Sequence, residues 1–395
     1  MRFTTAGESH GKALMAILEG IPAGLALVAE DVDSELRRRM AGHGRGARMK
    51  IESDRVEFLS GVRAGETLGS PVCMMVRNRD WENWQEVMAV APDADPDKPR
   101  RRRVLRPRPG HADLVGVLKY GRHDARDILE RASARETAAR VACGAVCRKL
   151  LDSFGVEIGS HVVRIGSVAA KSGEPLPARL NQHADSSPVR CLDLAASQAM
   201  VEEIDRAIAD RDTLGGVAEV IVRGAVVGLG SHVSWDRKLD ARLAQALMSI
   251  HAIKGVEIGL GFEGASTWGS EAHDEIRRGD NRLTGGVARS SNRAGGLEGG
   301  ITNGEPIVLR LAMKPISTLR RPLETVNLET GETAQAQSER SDVTAVPAMS
   351  VIAEAMTAIV VAQAMVEKFG GDSLNEMRRN YDGYVEQLSF LKEEV

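Results

Sequence analysis

A chain of 395 residues, 43% hydrophobic and 27% charged with a formal net charge of −3, holds enough apolar material for a large core, which argues against fibrous and disordered classes. Aromatic residues make up only 3% of it, so the platforms on which single-stranded nucleic-acid bases stack are scarce and no nucleic-acid partner is expected. The four cysteines, Cys73, Cys143, Cys147 and Cys191, form no C-x-x-C pair and read as reduced core residues of a cytoplasmic protein.

The N-terminus lacks a charged region followed by an apolar stretch, so no secretory leader is expected. It carries instead Gly7-Glu8-Ser9-His10-Gly11. Glycine lets a ligand approach the backbone closely, and imidazole delivers a proton near neutral pH; taken alone, the segment fits a structural histidine equally well. Apolar spacing predicts a helix over 32–40, and β-branched runs predict strands over 56–59 and 70–77. Between them the polar loop 43–49 holds Arg45 and Arg48 beside glycines, forks suited to an anion. A second loop, 92–109, carries the positive block Arg100-Arg101-Arg102-Arg103 with Arg106 and Arg108, expected to be solvated, and leads into Pro109-Gly110-His111-Ala112-Asp113.

The clearest helix is predicted over 134–154, with Ser133 and Glu136 as a capping box and Gly155 as its stop. Arg131 and Arg135 flank its start, where free N–H groups and the helix dipole favour phosphate; the alternative is that Ser133 merely caps and the arginines face water. Further helices are predicted over 199–209, 239–250 and 349–368, and strands over 217–227 and 307–313. Phe154-Gly155-Val156-Glu157-Ile158-Gly159 is echoed by Lys254-Gly255-Val256-Glu257-Ile258-Gly259, which reads as two similar β/α units or as chance. The loops 270–300 and 320–342 are polar and long enough to be functional or mobile. None of the turns Gly285-Gly286, Gly295-Gly296 and Gly299-Gly300 is a G-x-G-x-x-G after a strand, and there is no Walker segment, H-E-x-x-H, zinc spacing or EF-hand loop, so neither a familiar nucleotide cradle nor a dedicated metal site is expected. The apolar run 358–366, broken by Gln363, is too short to span a bilayer. Residues 372–395 read as a peripheral amphipathic helix.

By themselves these residues describe a protein that binds polyanionic ligands and uses histidine acids. Taken together and in order, residues 7–11, 42–49, Asn78-Arg79-Asp80-Trp81, 107–113, 131–137 and Arg340-Ser341-Asp342 closely resemble the signature segments of chorismate synthase, over residues 3 to about 365. The resemblance implies a lyase of the shikimate pathway of aromatic amino acid biosynthesis. Such an enzyme removes phosphate and a ring hydrogen from 5-enolpyruvylshikimate 3-phosphate by anti-1,4-elimination, using reduced FMN without net redox change. It implies catalytic roles for His10 (protonating the departing phosphate), His111 (supplying a proton to the flavin) and Asp342 (assisting hydrogen transfer at the flavin). Arg48, Arg108 and Arg135 would clamp the substrate. For FMN the family pattern falls on Arg131, Ala132, Ser133, His251, Ala252, Gly299, Lys314, Pro315, Ile316, Ser317, Thr318 and Arg340, and Arg39 and Arg45 match positions given to NADPH in some relatives. His251 stands where an amide is more usual, and 225–228 lacks a proline often seen there. The implied fold is α+β, a β-α-β sandwich with central helices packed between antiparallel sheets and an internal pseudo-repeat. It would form a single domain over 1–395 and a cytoplasmic homotetramer. Two other function classes stay open on the residues alone: an NADPH-dependent flavin reductase, on Arg39 and Arg45, and an anion- or RNA-binding protein, on residues 100–108. No membrane partner is implied.

Overall fold

A computed structural model of the chain describes residues 1–46, 53–92, 101–171, 173, 175–338 and 341–388; Arg48, Arg100 and Arg340 lie outside them. In chain order its principal elements are β1 (Arg2–Ala6), β2 (Ala13–Glu19), α1 (Ala29–Met40), β3 (Val56–Ser60), β4 (Val72–Arg77), α2 (Asp113–Tyr120), α3 (Arg126–Ala132), α4 (Thr137–Asp152), β5 (Glu157–Ile165), β6 (Val168–Ala169), α5 (Leu194–Ala209), β7 (Gly216–Arg223), α6 (Leu239–Met248), β8 (Ile253–Ile258), β9 (Ile307–Met313), α7 (Val346–Phe369) and α8 (Leu374–Gln387).

Two antiparallel sheets result, one ordered β1-β2-β4-β3 and one ordered β8-β9-β7-β5-β6. Each strand's period of two decides which face it buries. Leu14, Ala16 and Leu18 on β2 and Val72, Met74 and Val76 on β4 all point inward, and the register Leu18↔Val72 aligns the two rows. Helix α4 packs against β2 and β4, α7 packs against β5 and β7, and the two helices pack on each other. Their approach is close because Gly144 has no side chain: a Cβ there would lie 2.4 Å from the Cβ of Ala355. Gly144→Ala is therefore expected to force the helices apart and cost about 1–3 kcal/mol, read as a lower urea midpoint; an unchanged midpoint would mean that the interface yields freely.

Several sequence expectations are adjusted. The run 358–366 is only part of α7, whose 24 residues are long and apolar enough to cross a membrane; what argues against a span is that α7 is almost wholly buried inside the protein. The helix expected over 134–154 opens with a 3-10 turn at Ala134–Glu136 before α4 begins. Ser133 does cap that turn, accepting from the Arg135 amide at 3.3 Å. Glu136 completes no capping box, because its carboxylate accepts from Thr5 Oγ1 at 2.6 Å and from Arg140 Nε at 2.9 Å. The two Gly-Val-Glu-Ile-Gly echoes run into β5 and β8, strands of one sheet separated by β7 and β9. The loops 270–300 and 320–342 contain hairpins of their own, Ile276–Arg278 with Val287–Arg289 and Glu324–Val326 with Thr333–Gln335. In the positive block, Arg101 pairs with Glu86, Arg103 lies 3.2 Å from Glu329, and Arg102 covers the ring of Trp84 at 4.3 Å.

One polar group interrupts the apolar face of α7. Glu354 is fully buried and accepts from Arg38 at 2.9 Å, Arg190 at 2.9 Å, Asn181 at 3.0 Å and Ser160 at 2.5 Å, with Arg148 also bonded to it. Burial alone would push this carboxyl up; the charges of Arg38, Arg148 and Arg190 reverse that and hold it far below the carboxylate range. The network ties α1, α4, β5 and α7 to one point.

Candidate active site

His10 sits in the turn between β1 and β2, a turn that requires glycine at its entry. Gly7 has φ +105° and a Cβ there would lie 2.4 Å from the Ala13 carbonyl oxygen. The turn is held from outside at several points. Asn78 Nδ2 donates to the carbonyls of Glu8 (3.2 Å) and Gly11 (2.7 Å), and Arg131 donates to those of Gly7 (3.1 Å) and Thr5 (2.9 Å). The Ser9 amide donates to the Glu130 carbonyl at 2.9 Å. His10 donates its own amide to Glu130 Oε2 at 2.8 Å, and its ring Nδ1 meets Glu130 Oε1 at 2.9 Å. One face of the imidazole stacks on Trp84, with centroids 3.8 Å apart and planes at 22°. The side chain keeps 16% of its surface exposed, so the ring is gripped yet reachable. Burial would raise Glu130, but its bonds to His10 and Arg126 more than offset this and keep its carboxyl below the usual range.

His111 lies just before α2 in a second glycine turn. Its Nδ1 is 2.6 Å from Asp113 Oδ1, and Asp113 is fully buried. Arg108 fastens the same carboxylate through Nε at 2.8 Å and reaches Thr318 Oγ1 with Nη1 at 2.8 Å. Against the burial that would raise it, Asp113 is held far below the ordinary carboxylate range by hydrogen bonds from His111 and Arg108. Lys314 donates to the Gly110 carbonyl, and its amide bonds the carbonyl of Ala252 at 2.9 Å. The segment 314–318 is thereby laid against both the His111 turn and the end of α6. Ile316 is fixed by Thr213 Oγ1, which donates to its carbonyl at 2.8 Å. Ala252 adopts φ +65°, unusual for a residue with a side chain. Beside it His251 is pushed down to about 4, first by burial and then by Arg140, His111 and Arg39 against the opposing pull of Glu136. That favours its neutral form, and its Nδ1 is buried with no hydrogen-bond partner among the described residues.

A third group gathers arginines around two aspartates. Arg135 Nη1 binds Asp54 at 2.6 and 2.7 Å and its Nε reaches Asn78 Oδ1 at 3.0 Å, which links it to the His10 turn. Arg39, only 4% exposed, donates to Thr137 Oγ1 at 3.0 Å and to the Ala134 carbonyl at 2.9 Å. Burial, with Arg135 and Arg45 nearby and Asp54 opposing, brings its guanidinium down to about 10. Arg45 pairs with Asp342 at 2.7 Å, and the Gly46 amide donates to the other oxygen of Asp342 at 2.6 Å.

Residues expected from sequence are thus placed unevenly. His10, Arg131, Ser133 and Arg135 share one linked network, with Ala132 at the end of α3 beside it. His111, Arg108, Ala252, Lys314, Ile316 and Thr318 share a second, and Ser317 lies against Gly110, 3.7 Å from a Cβ built there; Pro315 lies inside that segment. His251 joins the second group to Arg39 through their mutual electrostatic influence. Gly299 turns a separate hairpin, where an added Cβ would lie 4.0 Å from His232. Arg48 and Arg340 lie outside the described residues. Sequence reasoning did not single out Glu130, Trp84 or Asp54; the one local signal for Glu130 was its i, i+4 spacing from Arg126, whose Nη1 it accepts at 3.0 Å. Two carboxylate-held imidazoles amid arginines make a site built to move protons beside anions.

Comparison with known proteins agrees with this chemistry. Residues 1–366 match the family model described as chorismate synthase. The chain is 58% identical over 389 residues to the chorismate synthase of Desulforudis audaxviator, covering 98% of each. It is 59% identical over 393 residues to that of Trichlorobacter lovleyi, covering 98% of this chain and 99% of the relative. A crystal structure of chorismate synthase superposes with a TM-score of 0.79 at 44% identity, covering 99% of this chain and 98% of that one.

Proposed function

The chain belongs to the chorismate synthase family of lyases, and from that premise we propose how its residues carry out the reaction. The activity is elimination of phosphate and a ring hydrogen from 5-enolpyruvylshikimate 3-phosphate to give chorismate. The observation that carries the assignment to particular residues is the His10 arrangement, an accessible imidazole gripped by Glu130 and Trp84 in a turn bound by Arg131 and Asn78.

In this reading Arg135 and Arg108, oriented by Asp54 and Asp113, bind the anionic groups of the substrate together with Arg48. Arg135 and Arg108 are each fixed by a buried carboxylate before substrate arrives, so little ordering of these two is left for binding. His10 delivers a proton to the phosphate oxygen as the C–O bond breaks, offsetting the charge that develops there. Asp342, fixed by Arg45 and the Gly46 amide, serves removal of the ring hydrogen.

Reduced FMN fits the residues present. His251 Nδ1 is buried with no hydrogen-bond partner among the described residues, and buried polar atoms are rarely left so unless a ligand or water meets them. Arg131, Ala132, Ser133, His251, Ala252, Gly299, 314–318 and Arg340 would hold the flavin, with His111 keeping a proton beside it. Bound there, reduced flavin would supply electron density to the substrate with no net redox change. An independent NADPH-driven flavin reductase is less well supported, because Arg39 is buried and faces inward, its Nε and Nη2 bonded to Thr137 and the Ala134 carbonyl and its Nη1 3.7 Å from Asp54.

We extend the reading to architecture: a single domain built as a β-α-β sandwich, α4 and α7 between the sheets, with the β5 and β8 segments as its pseudo-repeat. A cytoplasmic homotetramer would cover the exposed Trp235, Phe262 and Trp268. The test is direct. Purified protein with reduced FMN and 5-enolpyruvylshikimate 3-phosphate is expected to release phosphate and chorismate in equal amounts. Absence of both products, or steady NADPH consumption without the substrate, would overturn the reading.

A further inference from the structure

Glu130 has no role in the scheme above, yet its surroundings are arranged around one side chain. It stands on α3, its side chain 2% exposed, and His10 approaches it from 120 residues earlier in the chain. Three kinds of donor converge on its carboxylate. The His10 amide reaches Oε2 at 2.8 Å, Arg126 Nη1 reaches Oε1 at 3.0 Å, and the His10 ring Nδ1 lies 2.9 and 3.0 Å from the two oxygens. An amide and a guanidinium can only donate, so the oxygens act as acceptors, and the ring nitrogen facing them must carry a hydrogen.

We infer that Glu130 is the positioning residue for His10: it fixes the imidazole in the tautomer with hydrogen on Nδ1, so that Nε2 is the nitrogen that gains and loses the catalytic proton. A carboxylate bound to one imidazole nitrogen sets the tautomer and orientation of the ring and stabilises its protonated form. Trp84 completes the device. It stacks on the ring at 3.8 Å, its own Nε1 anchored to Asp80 Oδ2 at 3.0 Å, with Arg102 and Arg126 over its ring at 4.3 and 5.1 Å. The imidazole is thus restrained at its edge by Glu130 and across its face by the indole. The ionised state of Glu130 agrees with its carboxyl lying below the usual range.

The inference rests on the reading that His10 protonates the leaving phosphate, and the experiment separates the two. Nitrogen-15 spectra of His10 in flavin-free protein report its tautomer without turnover; wild type is expected to show hydrogen on Nδ1 whenever the ring is neutral. Glu130→Gln keeps the shape but removes the charge and replaces one acceptor oxygen with an NH2 donor. It is expected to mix the tautomers and to lower kcat by on the order of 10–100-fold, with substrate KM and flavin affinity within about twofold of wild type. Glu130→Asp, which restores a carboxylate, is expected to recover the Nδ1–H tautomer and part of kcat. A Glu130→Gln protein with wild-type tautomer and kcat overturns the inference, as does a wild-type His10 with hydrogen on Nε2. If Glu130→Gln fails to fold, the wild-type and Glu130→Asp spectra decide. Wild-type protein that makes no chorismate while His10 shows the expected tautomer defeats the reading of the reaction and leaves the positioning intact.

Discussion

His10→Ala is expected to lower kcat for chorismate formation by on the order of 10²–10⁴-fold, the span that a positioned proton donor contributes, while leaving flavin affinity close to wild type. The contacts of His10 explain the separation. Its ring touches Glu130 and Trp84; of the positions taken to hold the flavin, Lys314 and Ala252 are joined to each other and to Gly110, and Arg131 meets the backbone of the His10 turn at Gly7 and Thr5 and not the His10 ring. The turn itself survives the substitution, since the His10 amide, Asn78 and Arg131 hold its backbone. Phosphate release at saturating substrate measures the first quantity and quenching of flavin fluorescence the second. Loss of flavin binding with the loss of turnover would reassign His10 to the cofactor.

The second large effect is on stability. Glu354→Ala is expected to destabilise the protein by about 3–5 kcal/mol, because removing one partner of a buried ionic cluster leaves the others uncompensated. Arg38, Arg148 and Arg190 converge on that carboxylate; without it, Glu35 and Asp185 are the carboxylates still paired with them among the described residues. The pH dependence follows from the depressed folded-state pKa. The carboxylate's contribution is complete above its unfolded value near 4.5 and is lost as pH falls through the folded one. Wild type should therefore lose stability on acidification below that value, and Glu354→Ala should lack this part of the loss. Urea midpoints at neutral and acidic pH measure both, and equal midpoints for the two proteins at neutral pH would refute the role given to the cluster.

What the sequence disclosed depended on how local the signal was. The strand Ile307–Met313 was legible to the residue because its alternation is uninterrupted, and α8 because Met377, Tyr381 and Val385 fall on one face below a Ser373 cap. β1 and β2 were not recognised, since attention to the glycine turn between them hid the short alternating runs on either side. α7 begins three residues before the expected start, as Pro347 is tolerated in a first helical turn. At the site, the histidines and arginines were legible from glycine framing and charge together with the family resemblance. The carboxylates that orient them were mostly not: Asp54 meets Arg135 across 81 positions, and no periodicity reports such a meeting. Glu136 was misread for the same reason, a distant Thr5 having displaced the local cap.

The two histidines differ in how far along the chain their supports lie, and this sets an order of maturation. Asp113 is two residues from His111, so that pair assembles with its own turn. Glu130 is 120 residues from His10, so that pair must wait until the amino-terminal hairpin docks on α3, and contacts of long sequence separation form slowly. During refolding, protection of the His111 turn should precede the return of chorismate formation. The competence of the enzyme would then await that docking, and chains in which it has not occurred would be inert toward the substrate.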